Sequence, residues 1–120
     1  MSGATRHQGG CHCGKVRYEV KIDLEAPVLA CNCSMCGRTG TYLSFVGAGD
    51  FTLLSGEGEL TDYRFNKHRI HHLFCRTCGI KSFARGVGRD GGPTVAVNVR
   101  CLDDVPLDQL EISHFNGKAS

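Results

Sequence analysis

Residues 10–22 read GCHCGKVRYEVKI and join two different signals in one short stretch. In the second half, apolar and charged side chains alternate, so that Val16, Tyr18, Val20 and Ile22 share one side. This period of two predicts an antiparallel strand over residues 15–22 that buries one face and exposes the other. The first half of the stretch supplies two cysteines directly before that strand.

Short strands separated by glycine-rich turns continue along the chain. Recurrence of strands about every ten residues favours a mainly β domain of sandwich-like or tent-like shape with little helix. A single helical turn is predicted around Ser34–Arg38, and we expect residues 1–120 to form one domain. The other predicted strands span residues 41–46, 51–55, 60–66, 70–74, 80–85, 94–99 and 111–115.

Composition and charge exclude several classes of protein. The formal net charge of +2 is too small for a strong nucleic-acid-binding surface, and ionised cysteines would lower it further. No segment has the length and apolarity of a membrane span. Residues 1–10 lack the apolar stretch of a signal peptide. We therefore expect a cytoplasmic protein that has neither a membrane nor a nucleic acid as its partner.

Seven of the eight cysteines lie in three tight clusters. In a reducing compartment, clustered thiols are more often metal ligands than disulfide partners. Two of the clusters are pairs, each followed directly by a glycine that can turn the backbone toward the sulfurs. Together these pairs predict a closed Cys₄ zinc site with a structural role. Its ligands are Cys11, Cys13, Cys75 and Cys78.

The third cluster contributes three thiols: Cys31, Cys33 and Cys36. Three ligands within six residues approach a metal from one side and leave a coordination position for a further group. An open Zn–Cys₃ site would hold a small thiol as its nucleophilic thiolate. The alternatives are closure of the site by a fourth protein ligand, which would make it structural, and an iron–sulfur cluster. The candidates for a fourth ligand are Cys101, His12, His71 and His72.

Three stretches of the chain resemble the glutathione-dependent formaldehyde-activating family, which includes the centromere protein V-like proteins. They are Gly10–Tyr18, Cys31–Gly40 and Phe74–Gly79, and the resemblance extends over residues 8–118. It implies an Mss4-like β-tent fold and a carbon–sulfur lyase that interconverts S-(hydroxymethyl)glutathione with glutathione and formaldehyde. It also implies two Zn²⁺ per chain. The structural zinc would be held by Cys11, Cys13, Cys75 and Cys78, and the catalytic zinc by Cys31, Cys33 and Cys36.

Several other residues have two interpretations. His71 and His72 are neighbours on a predicted strand, so one should point inward and the other outward; either could relay protons, but ordinary strand residues are the simpler interpretation. Four cationic residues near the clusters could pair with the carboxylates of glutathione, but we expect them to be solvated surface charges. They are Arg38, Arg76, Lys81 and Arg85. As a whole, the chain could also be a non-catalytic zinc module that binds a protein or a nucleic acid.

Overall fold

Two β-sheets with a shared core form the framework of the protein. The computed structural model describes residues 4–64, 70–88, 91–103 and 105–116, and the elements below lie within these ranges. The first sheet has the antiparallel strand order β1-β2-β5. Its strands are β1 (Ala4–Gly10), β2 (Arg17–Asp23) and β5 (Phe51–Ser55).

The second sheet is larger and has the order β10-β3-β4-β9-β8-β7-β6. Its described strand pairs are antiparallel except for β10 and β3, which run in parallel. One short helix, α1 (Cys36–Thr39), follows β3. The strands are β3 (Val28–Cys31), β4 (Leu43–Gly47), β6 (Leu60–Tyr63), β7 (His71–Cys75), β8 (Phe83–Val87), β9 (Pro93–Asn98) and β10 (Ile112–Phe115).

The core lies between the sheets, and β2 contributes most directly to it. Its alternating apolar side chains are at most 1% exposed, as the sequence pattern predicts. The Tyr18 ring stacks on Phe51 at 5.0 Å and meets Phe83 edge-on at 5.9 Å, so aromatic rings from both sheets touch. Buried valines of β9 complete the contact from the second sheet.

The predicted mainly β fold is confirmed, and the largely antiparallel sheets and the single short α-helix of the described residues are consistent with an Mss4-like fold. All eight predicted strands coincide with observed strands, whose described ends are displaced by up to three residues. The prediction for residues 60–66 reaches residues 65 and 66, which lie outside the described part. β1 and β3 are not predicted from the sequence. No helix in the described residues is long and apolar enough to cross a membrane.

Candidate metal centres

Four thiols meet where the two sheets come together. Cys11 follows β1 of the first sheet, and Cys75 ends β7 of the second. The sulfurs of Cys11, Cys13, Cys75 and Cys78 all lie within 4.8 Å of one another. The Cys13 sulfur is 3.6 Å from that of Cys11 and 3.6 Å from that of Cys75. Tetrahedral zinc with Zn–S bonds of about 2.3 Å requires S–S separations of about 3.8 Å, so this donor set fits one zinc ion.

The backbone around the four-thiol cluster is shaped to hold sulfur anions. Gly14 and Gly79 adopt the left-handed region, with φ of 84° and 79°, as expected for the glycine after each pair. The Thr77 N–H points at the Cys75 sulfur at 3.4 Å. Burial raises the pKa of Cys78, but hydrogen bonds from the backbone of Cys13 and Ile80 outweigh it and bring that pKa to about 6. The backbone therefore favours the thiolate of Cys78 before any metal binds.

A second cluster brings together the other three thiols. Cys31 is the last residue of β3, Cys33 lies in the following loop, and Cys36 is the first residue of α1. Their sulfurs lie within 4.8 Å of one another. The Cys33 N–H donates to the Cys31 sulfur at 3.4 Å, and the Cys36 N–H donates to the Cys33 sulfur at 3.3 Å. The loop is also tied to β10, since the Asn32 N–H donates to the Phe115 carbonyl at 3.2 Å.

Among the described residues, no fourth histidine, cysteine or carboxylate joins this trio within 4.8 Å. The Cys101 sulfur accepts a hydrogen bond from Asn98 Nδ2 at 3.4 Å and lies 3.8 Å from the Lys81 carbonyl oxygen. His12 is exposed in the loop of the four-thiol cluster. The described part of the chain thus supplies three donors at one centre and four at the other.

Electrostatics shows why the trio needs a cation. Burial raises the pKa of Cys36 to about 11, and the nearby Cys33 thiol raises it too, whereas the Lys81 charge acts in the opposite direction. A positive charge close to these sulfurs would favour the thiolate form of Cys36. A divalent ion that prefers sulfur meets that need, and Zn²⁺ is such an ion.

Beside the trio lies a buried lysine–histidine pair that the sequence did not reveal. The expectation that Lys81 is a solvated surface charge is wrong, because the residue is only 8% exposed. Its Nζ lies 2.8 Å from Nδ1 of His72, which is itself buried. His71 points outward and bonds to Asp62 at 2.7 Å, so the predicted inward and outward histidines are confirmed. Nothing in the sequence around Lys81 indicated that this charged residue would be buried.

The remaining cations near the clusters are exposed or only half-buried. Arg76 pairs with Glu59 at 3.0 Å, and Arg38 donates to the Ser34 carbonyl at 2.9 Å. The Arg85 guanidinium lies 5.3 Å from the centre of the Phe83 ring, on the core side of its sheet. Of the four cations named from the sequence, Lys81 therefore differs from the others in being buried.

Residues 6–115 match the model of the family described as glutathione-dependent formaldehyde-activating enzyme. The chain belongs to this family. Both cysteine clusters lie inside the matched region, and together with family membership they indicate a zinc-binding protein of the formaldehyde-activating type. The fold is also similar to the crystal structure of a Rhodobacter sphaeroides protein, a Northeast Structural Genomics target. That comparison has a TM-score of 0.79 at 34% identity and covers 90% of this chain and 99% of the other.

Proposed function

We propose that this protein is a zinc-dependent carbon–sulfur lyase that adds a small thiol to an aldehyde or releases the aldehyde from the adduct. The reaction is of the S-(hydroxymethyl)glutathione synthase type, with glutathione or a related thiol as the substrate and formaldehyde as the aldehyde. One observation carries the proposal. In a chain of this family, three thiols converge at one centre while no fourth protein donor joins them among the described residues.

The proposal assigns different roles to the two clusters and two Zn²⁺ to each chain. Cys11, Cys13, Cys75 and Cys78 would hold a structural ion that ties the first sheet to the second. Cys31, Cys33 and Cys36 would hold the catalytic ion. When bound there, zinc supplies a fourth coordination position and lowers the pKa of a thiol that occupies it, so that the thiol is present as thiolate.

The ligand set favours thiol chemistry over hydrolysis. Three thiolates donate much negative charge, which makes the centre a poorer activator of water than a set of three histidines. In the direction of addition, the substrate sulfur forms a bond to the carbonyl carbon. The π electrons of the carbonyl move to its oxygen, which takes up one proton. In the opposite direction, the hydroxyl proton leaves, the C–S bond breaks, and the thiolate and the aldehyde separate.

The proposed cellular compartment follows from the chemistry of the thiols. Seven cysteines act as ligands only while they stay reduced, and glutathione is a thiol of reducing compartments. We therefore assign the activity to the cytoplasm and to residues 1–120 acting as one unit. A small thiol adduct is the proposed partner, in place of a membrane or a nucleic acid.

Calorimetric titration of the zinc-loaded protein with glutathione tests this function. We expect two zinc ions per chain and one glutathione bound in the parent protein. Cys33→Ser should lose one zinc and the glutathione binding. The matched control is Cys101→Ser, which removes a thiol outside both clusters and should keep both. No heat at millimolar glutathione from a parent that holds two zinc ions would contradict the proposal and favour a non-catalytic zinc module.

A further inference from the structure

Lys81 is a buried cation in the loop between the four-thiol cluster and β8. It is 8% exposed, and lysine is among the residues that are almost never fully buried without a partner. Its ammonium group donates to Nδ1 of His72 at 2.8 Å. A neutral imidazole is a weak counterpart for a buried charge, so the need for stability does not account for this arrangement.

Both residues of the pair are held firmly. The carbonyl oxygen of Lys81 accepts a hydrogen bond from Asn98 Nδ2 at 3.0 Å, and Asn98 is buried at the end of β9. His72 is fixed in β7, where it pairs with Ala84 of β8. Burial, with the Lys81 charge as the second cause, lowers the pKa of His72 to about 4. The ring is therefore neutral at pH 7, and its Nδ1 accepts a hydrogen bond from the Lys81 ammonium group. The direction of the ammonium group is thereby set.

The sheet places this pair on the same face as the three-thiol cluster. Going across the strands from His72, the residues in register are Ala84, Ala96 and Phe45. Leu43 shares the face of Phe45 and pairs with Leu29 of β3, two residues before Cys31. Because alternate residues of a strand share a face, His72 and Cys31 lie on one side of the sheet.

Charge interactions show that Lys81 and the trio are close in space. Burial, the larger cause, raises the pKa of Cys36 to about 11, and the Lys81 charge opposes that rise. In return, Cys36 and Cys33 raise the pKa of Lys81, although burial, the larger cause, lowers it overall. A substrate sulfur that joined the three thiols would bring its attached carbon and oxygen to this neighbourhood. The Lys81 ammonium group has three N–H donors, of which one is directed to His72.

Resting on the proposed function, we propose that Lys81 is a catalytic residue whose ammonium group, aimed by His72, donates a hydrogen bond to the oxygen of the aldehyde or of the S-hydroxymethyl group. As the C–S bond forms, the carbonyl electron pair moves to oxygen, and Lys81 stabilises the negative charge that develops there. The oxygen then takes a proton from water. Lys81 keeps its own proton throughout, and the proton that the thiol lost to solvent is returned. His72 is a positioning residue.

Kinetics of the zinc-loaded Lys81→Met variant tests the inference, with NMR measurement of exchange between formaldehyde and S-(hydroxymethyl)glutathione. We expect two zinc ions per chain and a glutathione Kd within about threefold of the parent, because the ligand trio is intact. The kcat should fall about 100-fold, as when one donor to a developing oxyanion is removed. Lys81→Arg, which keeps the charge, should recover part of the rate. Lys21→Met, at an exposed lysine of β2, is the control and should match the parent.

Several outcomes would overturn the role of Lys81. One is a parent-like kcat in a Lys81→Met variant that holds two zinc ions, and another is a weaker Kd with unchanged kcat. If the Lys81→Met variant loses zinc, the His72→Gln variant decides the question, provided that it holds both zinc ions. In that variant, a lower kcat at an unchanged glutathione Kd supports the aiming of Lys81 by His72. An unchanged kcat refutes it. A zinc-loaded parent that neither binds glutathione nor accelerates exchange refutes the proposed function, and the role of Lys81 falls with it.

Discussion

Replacing Gly10 by alanine should damage the four-thiol cluster without touching a ligand. Gly10 ends β1, directly before Cys11. A Cβ atom at this position would lie 2.0 Å from the carbonyl oxygen of Val16, far closer than non-bonded atoms allow. That oxygen also accepts the hydrogen bond from the Cys11 N–H at 3.1 Å. Relief of the clash must therefore move the loop that carries two of the four thiols.

The cost can be worked out from these contacts. Loss of the Cys11 hydrogen bond removes about 1 kcal/mol, and forcing an extra methyl group into a packed site costs about 1–3 kcal/mol. The free energy of unfolding should fall by about 3 kcal/mol in total, a large part of the roughly 5–15 kcal/mol of a typical domain. If half of this falls on the loop, zinc binding at the four-thiol cluster weakens by about tenfold.

Chemical denaturation of the zinc-loaded protein and competition with a zinc chelator measure the two effects. The matched control is Gly47→Ala, because a Cβ at Gly47 meets nothing within 4 Å. Its stability should stay within about 0.5 kcal/mol of the parent. A Gly10→Ala protein with parent-like stability and zinc affinity would refute the close approach of β1 to Val16.

Three further predictions concern the clusters and the core. The Cys78→Ser variant should lose one zinc ion and unfold, because structural zinc contributes about 10 kcal/mol or more to folding. The Cys33→Ser variant should also lose one zinc ion but stay folded. Zinc analysis measures the metal content of each variant, and circular dichroism shows whether it is folded. Phe83→Ala should cost about 3–5 kcal/mol in a denaturant titration, because its ring is fully buried, while Phe45→Ala, at 57% exposure, should cost less than about 1 kcal/mol. Since the folded pKa of His72 is about 4 and its ordinary value is 6.5, its neutral form contributes stability above pH 6.5 that is lost as the pH falls toward 4. The slope is at most about 1.4 kcal/mol per pH unit, and a His72→Gln protein with the same pH dependence as the parent would contradict this.

The strand at residues 15–22 was predicted from its apolar alternation, and the other seven strands from short runs between glycine-rich turn signals. β2 was predicted because its buried side is uniformly apolar. β1, with the sequence ATRHQGG, has no apolar alternation, and its position is set by pairing with β2 over all seven residues. β3 is only four residues long, follows Pro27, and gains its partners from β4 and β10. Backbone pairing with other strands, which places both β1 and β3, leaves little trace in a local apolar pattern, and this is why both were missed.

In the candidate site, too, some features could be predicted from the sequence and others could not. The cysteines expected to form a set of four and a set of three do meet in those sets, because short spacings hold neighbouring sulfurs together and the two sheets bring the two distant pairs of the four-thiol cluster to one place. Burial of Lys81 could not be predicted in this way. It depends on His72 from β7 and Asn98 from β9, which meet Lys81 through the sheet and not through the sequence. Chain proximity therefore predicted which neighbouring thiols meet, and topology determined their electrostatic surroundings.

The parallel pairing of β10 with β3 has a consequence for the order in which a growing chain can assemble. Cys78 is the last thiol of the four-thiol cluster along the chain, so all four thiols are made before synthesis reaches β10. The three thiols of the second cluster precede Cys75 and Cys78, but the Phe115 carbonyl that receives the Asn32 N–H is made after all seven clustered thiols. The four-thiol cluster can thus assemble first, and the loop that carries the three-thiol cluster gains its backbone support from β10 later.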